Sequence, residues 1–232
     1  MVLKKMALVG DALSHVALPG LALGILFNFN PFIGAFAFLF TSAVIIWQLG
    51  RVTKLPFETI VGAMFTLALA IGVLIIPEAE LLEALFGDIT KVTILDTATA
   101  ITISIIAVLL TKTIYKKLIL GMISEEMAIS KGINVSIINL LYLLLVSTVV
   151  AVGIKIVGTL LVGFLVIVPA AAAKNVSTDL FKYGVLSATF GAISACSGIL
   201  VSSYLNLAPG PMVVFSGIII FLGTVLTKSK TK

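Results

Sequence analysis

The sequence predicts an all-α, polytopic helical membrane protein of about eight transmembrane helices, organised as a single domain over residues 1–232. Three observations predict it. The chain is 60% hydrophobic and only 11% charged, with a mean hydropathy of +1.27, whereas soluble domains carry about 25% charge. Apolar stretches recur along its whole length, and a span needs about 20 apolar residues. The basic residues are confined to alternate gaps between those stretches.

The elements follow in order. The first stretch, 6–27, begins after Lys4 and Lys5, and Asn28, Asn30 and Pro31 part it from the second, 31–50. Pro56 precedes the third, 57–76, and Pro77 ends it. Such residues mark turns because proline removes a donor and asparagine tolerates turn geometry. The fourth covers 93–114. The fifth, 135–153, and the sixth, 156–173, are divided only by Gly153 and Lys155. The seventh covers 183–204, and Pro209, Gly210 and Pro211 open the eighth, 210–227. There are too many stretches for a signal peptide with a soluble body, and the first holds a charge where a signal sequence is apolar.

Charge orients the bundle. One set of gaps holds thirteen of the fifteen basic residues, Arg51, Lys112, Lys174 and Lys182 among them; the other holds only Lys91 and Lys155. The rich set is cytoplasmic, with both termini inside. The sequence pI of about 9.4 therefore reflects membrane orientation, and nucleic acid is not a predicted partner. One cysteine, Cys196, excludes an intrachain disulfide. Within GAISACSGI it reads as a small buried packing residue.

The outer loop 77–91 carries Glu78, Glu80, Glu83 and Asp88 around LLEALF. It reads as a short interfacial or re-entrant helix. Its acidic side chains are either a solvated surface or an attractor for cations at the outer mouth. The longest inner loop, about 111–134, is expected to hold a short amphipathic helix and a turn at Gly132. Its Glu125, Glu126, Ala128 and Gly132 form an acidic–small–glycine pattern, either a solvated helix or a docking surface for a soluble partner. The chain has no G-x-x-x-x-G-K-[ST] phosphate loop. ATP, if it drives transport, is bound by another polypeptide. No nucleophile–base pair or HExxH motif points to an enzyme.

Chemistry concentrates in GDALSHVALPG, Gly10 to Gly20. Asp11 and His15, the only histidine, lie one turn apart and share a helix face. Ionisable groups at membrane depth are costly and mark function by default. Counting from Lys5, His15 lies about 15 Å into a core about 30 Å thick. Pro19 deprives the His15 carbonyl of its helical donor. A carboxylate and an imidazole suit divalent transition metals, a proton relay in a secondary transporter needs the same groups, and an Asp–His hydrogen bond can serve packing alone. Two ligands are few for a metal, so others must come from elsewhere. Glu58, at the inner edge of the third span, and Asp96, near the outer end of the fourth, are the other candidates; a carboxylate near a helix N-terminus is commonly a cap. Gly20-x-x-x-Gly24 and the small residues of Gly158–Ala173 suggest close helix packing or a dimer face.

Four stretches together carry a family resemblance: KKMALVGDALSHVALPG, LFGDI (Leu85–Ile89), EEMAISKGI (Glu125–Ile133) and VGTLLVGFLVIVPAAAA (Val157–Ala173). In their order and spacing the chain resembles the permease subunits of ABC importers for zinc, manganese or iron. The resemblance implies a multi-pass protein of the cytoplasmic membrane with no permanently bound cofactor, transporting a divalent ion. It implies a homodimer with the path at its interface, a cytoplasmic ATP-binding subunit docking on the Glu125–Ile133 segment, and an extracytoplasmic metal-binding protein delivering the ion. Asp11 and His15 match the family's pathway ligands, and a dimer supplies two of each. Members usually carry a further hydrophobic span before the first motif, which this chain begins almost at.

Overall fold

Pro19 sets the first structural feature. It cannot donate to the His15 carbonyl, and the first stretch breaks at Ala17 into α1 (Ala7–Val16) and α2 (Leu18–Leu26). The computed structural model describes residues 7–53, 55–77, 80, 84–87 and 92–229. Helix α2 ends in a left-handed Asn28, φ 54°. There the Phe29 and Asn28 N–H groups donate to the Gly24 and Ile25 carbonyls at 2.9 and 3.2 Å, satisfying orphan acceptors as a Schellman cap does. Asn30 then caps α3 (Pro31–Val52) by accepting from the Phe32 N–H at 3.0 Å, with proline in the first turn, where its missing donor costs nothing.

The α2–α3 hairpin is tight because of its glycines. A Cβ on Gly20 would collide with the Gly34 carbonyl, and one on Gly24 with the Pro31 backbone. The Gly20-x-x-x-Gly24 pattern therefore serves packing within one chain. Helix α4 (Phe57–Ile75) follows Pro56. Helix α5 (Ile94–Ile123) starts from a capping box in which Thr93 and Asp96 satisfy each other's backbone N–H groups. It runs on past the expected membrane edge, so much of the expected inner loop 111–134 is a continuation of this helix. Helix α6 (Glu125–Ser130) follows.

Helix α7 (Val135–Val176) has 42 residues, about 63 Å if straight. It is not straight: Tyr142 and Ala170 line one cavity of about 250 Å³, and a Cβ on Gly153 would lie 2.7 Å from the Val162 side chain. The chain doubles back at Gly158, φ 78° and ψ 171°, a region that is essentially glycine-only. Its two arms form the centre of the fold. Leu143, Val150, Ala151, Ile154 and Val162 join Leu13, Val16 and Ala17 of α1, Leu39 and Ile46 of α3, and Val61 and Ala68 of α4 in one buried cluster.

Helices α8 (Leu180–Leu205) and α9 (Pro209–Ser229) pack on each other and on α7. Asp179 caps α8 by accepting from the Lys182 N–H at 2.8 Å, and that bond holds its carboxyl below the usual range. The small residues Ser194, Gly198 and Ser202 form the buried stripe of α8; Gly198 meets the Val213 backbone. Cys196 lies on the opposite face and is exposed, so the expectation of a buried packing cysteine does not hold.

Among the described residues, six helices are long and apolar enough to cross a membrane, not eight. One of these, α7, holds both the fifth and the sixth expected stretches as its two arms, and the first stretch is a shorter apolar helical run, Gly10–Leu26, kinked at Ala17. Of the outer loop, Glu78, Glu83, Asp88, Ile89 and Lys91 lie outside the described residues, as do Lys4, Lys5, Lys54, Lys230 and Lys232.

Candidate functional site

Helix α1 packs against α4 and α7, and Asp11 and His15 lie together on one of its faces. The helical spacing brings Asp11 and His15 together as expected, with Nδ1 of His15 3.7 Å from Oδ1 of Asp11. The closer partner of Nδ1 is the Asp11 backbone carbonyl, at 3.0 Å. A carbonyl only accepts, so Nδ1 donates, and the neutral ring carries its lone pair on Nε2. Among the described residues Nε2 has no hydrogen-bond partner. The buried Ser14 hydroxyl also donates to the Asp11 carbonyl, at 2.7 Å. Phe65 of α4 meets the His15 ring edge-on, with centroids 5.5 Å apart and planes at 87°, which holds its orientation.

The side chain of His15 is 14% exposed and that of Asp11 39%. No hydrogen bond from a described residue reaches the Asp11 carboxylate. The site therefore presents one carboxylate and one imidazole nitrogen, both with unused acceptor capacity, on one face of α1. No group of three or more His, Cys, Asp and Glu side chains suited to a metal occurs among the described residues. Glu58 stands exposed in the first turn of α4 and is not part of the pair's surroundings.

Sequence reasoning missed two features. The first is Gly163, which lies directly against the Asp11 carboxylate; nothing in the sequence joins the two positions. The second is an ion pair: Nζ of Lys155 is 2.5 Å from Oδ1 of Asp96, and it also sits 5.3 Å from the Phe32 ring centroid. Lys155 was legible as an outlier to the charge rule and Asp96 as a cap, but not as partners. They line an outer cleft of about 350 Å³ together with Asn30, Glu80 and Ile154. Beside it the outer segment is fastened to the bend of α7. Gly87 and Gly158, both with positive φ, meet backbone to backbone, and the Thr159 hydroxyl donates to the Ala84 carbonyl at 3.3 Å.

The other expected site is a short, firmly capped segment. Ser124 caps α6 by accepting from the Met127 N–H at 3.2 Å. At its end Gly132, φ 71°, donates to the Ile129 carbonyl at 2.8 Å, and Ile133 to that of Ala128 at 3.0 Å. Asn134 at once caps α7. Glu125 and Glu126 are exposed while Ala128 is fully buried. The start of α7 is tied to α3 by Trp47, whose indole N–H donates to the Ser136 carbonyl and hydroxyl at 2.9 and 3.0 Å. The Arg51 guanidinium lies over the same indole, 4.9 Å from its centroid.

Residues 1–228 match the ABC 3 transport family. The manganese transport system membrane protein MntC of Listeria monocytogenes is 34% identical over 224 residues, covering 95% of this chain and 80% of that protein. The high-affinity zinc uptake system membrane protein ZnuB of Buchnera aphidicola is 33% identical over 232 residues, covering 97% and 88%. Among solved structures, PsaBC from Streptococcus pneumoniae in complex with Fab superposes with a TM-score of 0.82 at 30% identity, over 96% of this chain and 82% of that one.

Proposed function

The chain belongs to the ABC 3 transport family, and on that premise we propose that it is the membrane-spanning permease subunit of an ATP-driven importer of divalent transition-metal ions. It forms the translocation path and is not itself an enzyme; a separate cytoplasmic subunit hydrolyses ATP. The membrane is the cytoplasmic membrane, with the face rich in Lys and Arg inside. An extracytoplasmic metal-binding protein delivers the ion. The cargo is manganese or zinc, the metals in the names of the relatives, both suited to imidazole and carboxylate. The family gives no support to the proton-coupled alternative.

The observation that carries the site is the Asp11–His15 pair, whose carboxylate and Nε2 have unused acceptor capacity on one face of α1. Two ligands per chain hold an ion weakly enough for it to leave. A second copy of the chain, across a two-fold axis, brings another pair. Glu125, Glu126, Ala128 and Gly132 form the coupling segment. Capped at both ends, it moves as a unit when the ATPase closes. Its displacement enters α7 directly and α3 through Trp47, and so changes which side of the membrane the α1 site faces. The test is His15→Ala in the assembled importer. Uptake of radiolabelled Mn²⁺ or Zn²⁺ is expected to fall at least tenfold with permease level and ATPase association unchanged. Normal uptake at equal expression would sink the assignment.

A further inference from the structure

Against the Asp11 carboxylate, across the contact of α1 with α7, stands a residue without a side chain. A Cβ built on Gly163, in the second arm of α7, would fall onto Oδ1 of Asp11, 3.0 Å from the Ser14 hydroxyl oxygen and 3.3 Å from the Asp11 Cα. The carboxylate thus occupies the volume that any other residue at position 163 would fill. We propose that Gly163 is a positioning residue for metal transport: its lack of a side chain is the seat that holds the Asp11 carboxylate beside His15. The inference rests on reading Asp11 as a pathway ligand and adds what fixes its position.

Side chains occupy staggered wells, and on a helix one of the three is rarely allowed. With a methyl group at position 163 the present place of Oδ1 is blocked. The neighbours that would otherwise yield are backbone or buried, since Ser14 is fully enclosed and its hydroxyl is committed to the Asp11 carbonyl. Asp11 must therefore turn, by swinging its carboxylate about the broad terminal torsion or by moving to another staggered well, and either way Oδ1 leaves its present place beside the His15 ring. His15, held by its bond to the Asp11 carbonyl and by Phe65, does not follow. One ligand leaves while the other stays. This differs from the role of other close-packed glycines. At Gly198 a Cβ would meet the Val213 backbone, and at Gly20 the Gly34 carbonyl, so substitution there disturbs helix spacing with no ligand involved.

The test uses the complete importer with radiolabelled Mn²⁺ or Zn²⁺. Gly163→Ala is expected to raise the half-saturating metal concentration about tenfold or more while leaving the amount of permease–ATPase complex near that of the parent. Gly198→Ala, the packing control, is expected to lower the amount of complex and leave the half-saturating concentration of the surviving fraction unchanged. If Gly163→Ala assembles normally and its metal dependence is unchanged, the proposal is overturned. Should it fail to assemble, Asp11→Ala decides. Removing the carboxylate is expected to restore assembly of Gly163→Ala, because the blocked volume is then empty. An assembly defect equal in both backgrounds places the cost in the helix backbones and overturns the seat. Unchanged uptake by Asp11→Ala alone would sink the ligand reading instead, and the assembly coupling between positions 11 and 163 still decides whether the seat exists.

Discussion

Asp96 and Lys155 illustrate how a lone charge in an apolar chain acquires a reason. Lys155 breaks the positive-inside pattern, and an unpaired ammonium near the bilayer is disfavoured by about 2.5–3.5 kcal/mol at the helix centre, less towards the interface. Its partner carboxylate already caps α5 through Thr93, so one Asp serves both a helix end and an interhelical ion pair. Removing either partner leaves the other charge stranded. Lys155→Met and Asp96→Asn are each expected to lower the melting temperature of the detergent-solubilised permease. The double variant should lose no more than the worse single one, as measured by thermal aggregation. Additive losses would show that the two charges do not act as a pair. Asp11 and His15 were legible in the sequence because helical periodicity alone joins them. The Asp96–Lys155 pair and the Asp11–Gly163 seat were not, because tertiary packing joins them: α5 on α7 for the first, and α1 on the second arm of α7 for the other.

That doubling back is the deciding event at the scale of elements. A single glycine makes it, and hydrophobicity is continuous on both sides, so the sequence offered no polar gap where the chain reverses. Gly153 and Lys155 marked the neighbourhood, and Gly158 makes the turn. Two things forbid a side chain there. Its φ and ψ lie in a region costing other residues about 1–3 kcal/mol, and a Cβ would strike the Gly87 N–H nitrogen. Gly158→Ala is therefore expected to destabilise the permease by at least that amount and to loosen the outer segment. Limited proteolysis from the outer face and thermal aggregation measure the two effects. The control is Gly62 in α4, where a Cβ would meet nothing within 4 Å. Gly62→Ala removes a helix-interior glycine and should be neutral or stabilising by up to about 1 kcal/mol. Equal losses at both positions would contradict the account of the turn. The caps of α3, α5 and α6, made by Asn30, Thr93 and Ser124, are by contrast local, because capping joins residues three positions apart or fewer.

At the scale of the whole molecule, burial is uneven. The most hydrophobic window of α7 is 56% buried, whereas those of α5 and α8 are 6% and 11% buried. Leu95, Val108, Leu200 and Ile219 point outward, towards lipid or another subunit. On the proposed reading of Asp11 and His15 as metal ligands, the ligand count speaks for a second copy of the chain at α1. One chain brings a single carboxylate and a single imidazole to its site, and no third His, Cys, Asp or Glu joins them among the described residues, while sites for these metals take four or more ligands. If two copies of α1 complete one site, an inactive copy spoils the site it shares. Co-expressing equal amounts of the parent chain and a chain carrying both Asp11→Ala and His15→Ala leaves about a quarter of closed two-fold dimers with two intact copies. Metal uptake, normalised to total permease, is then expected near a quarter of the parent level. If each chain carried its own complete site, uptake would stay near half. A titration of the ratio of the two chains separates the cases, since the shared site predicts a fall with the square of the intact fraction and independent sites predict a straight line.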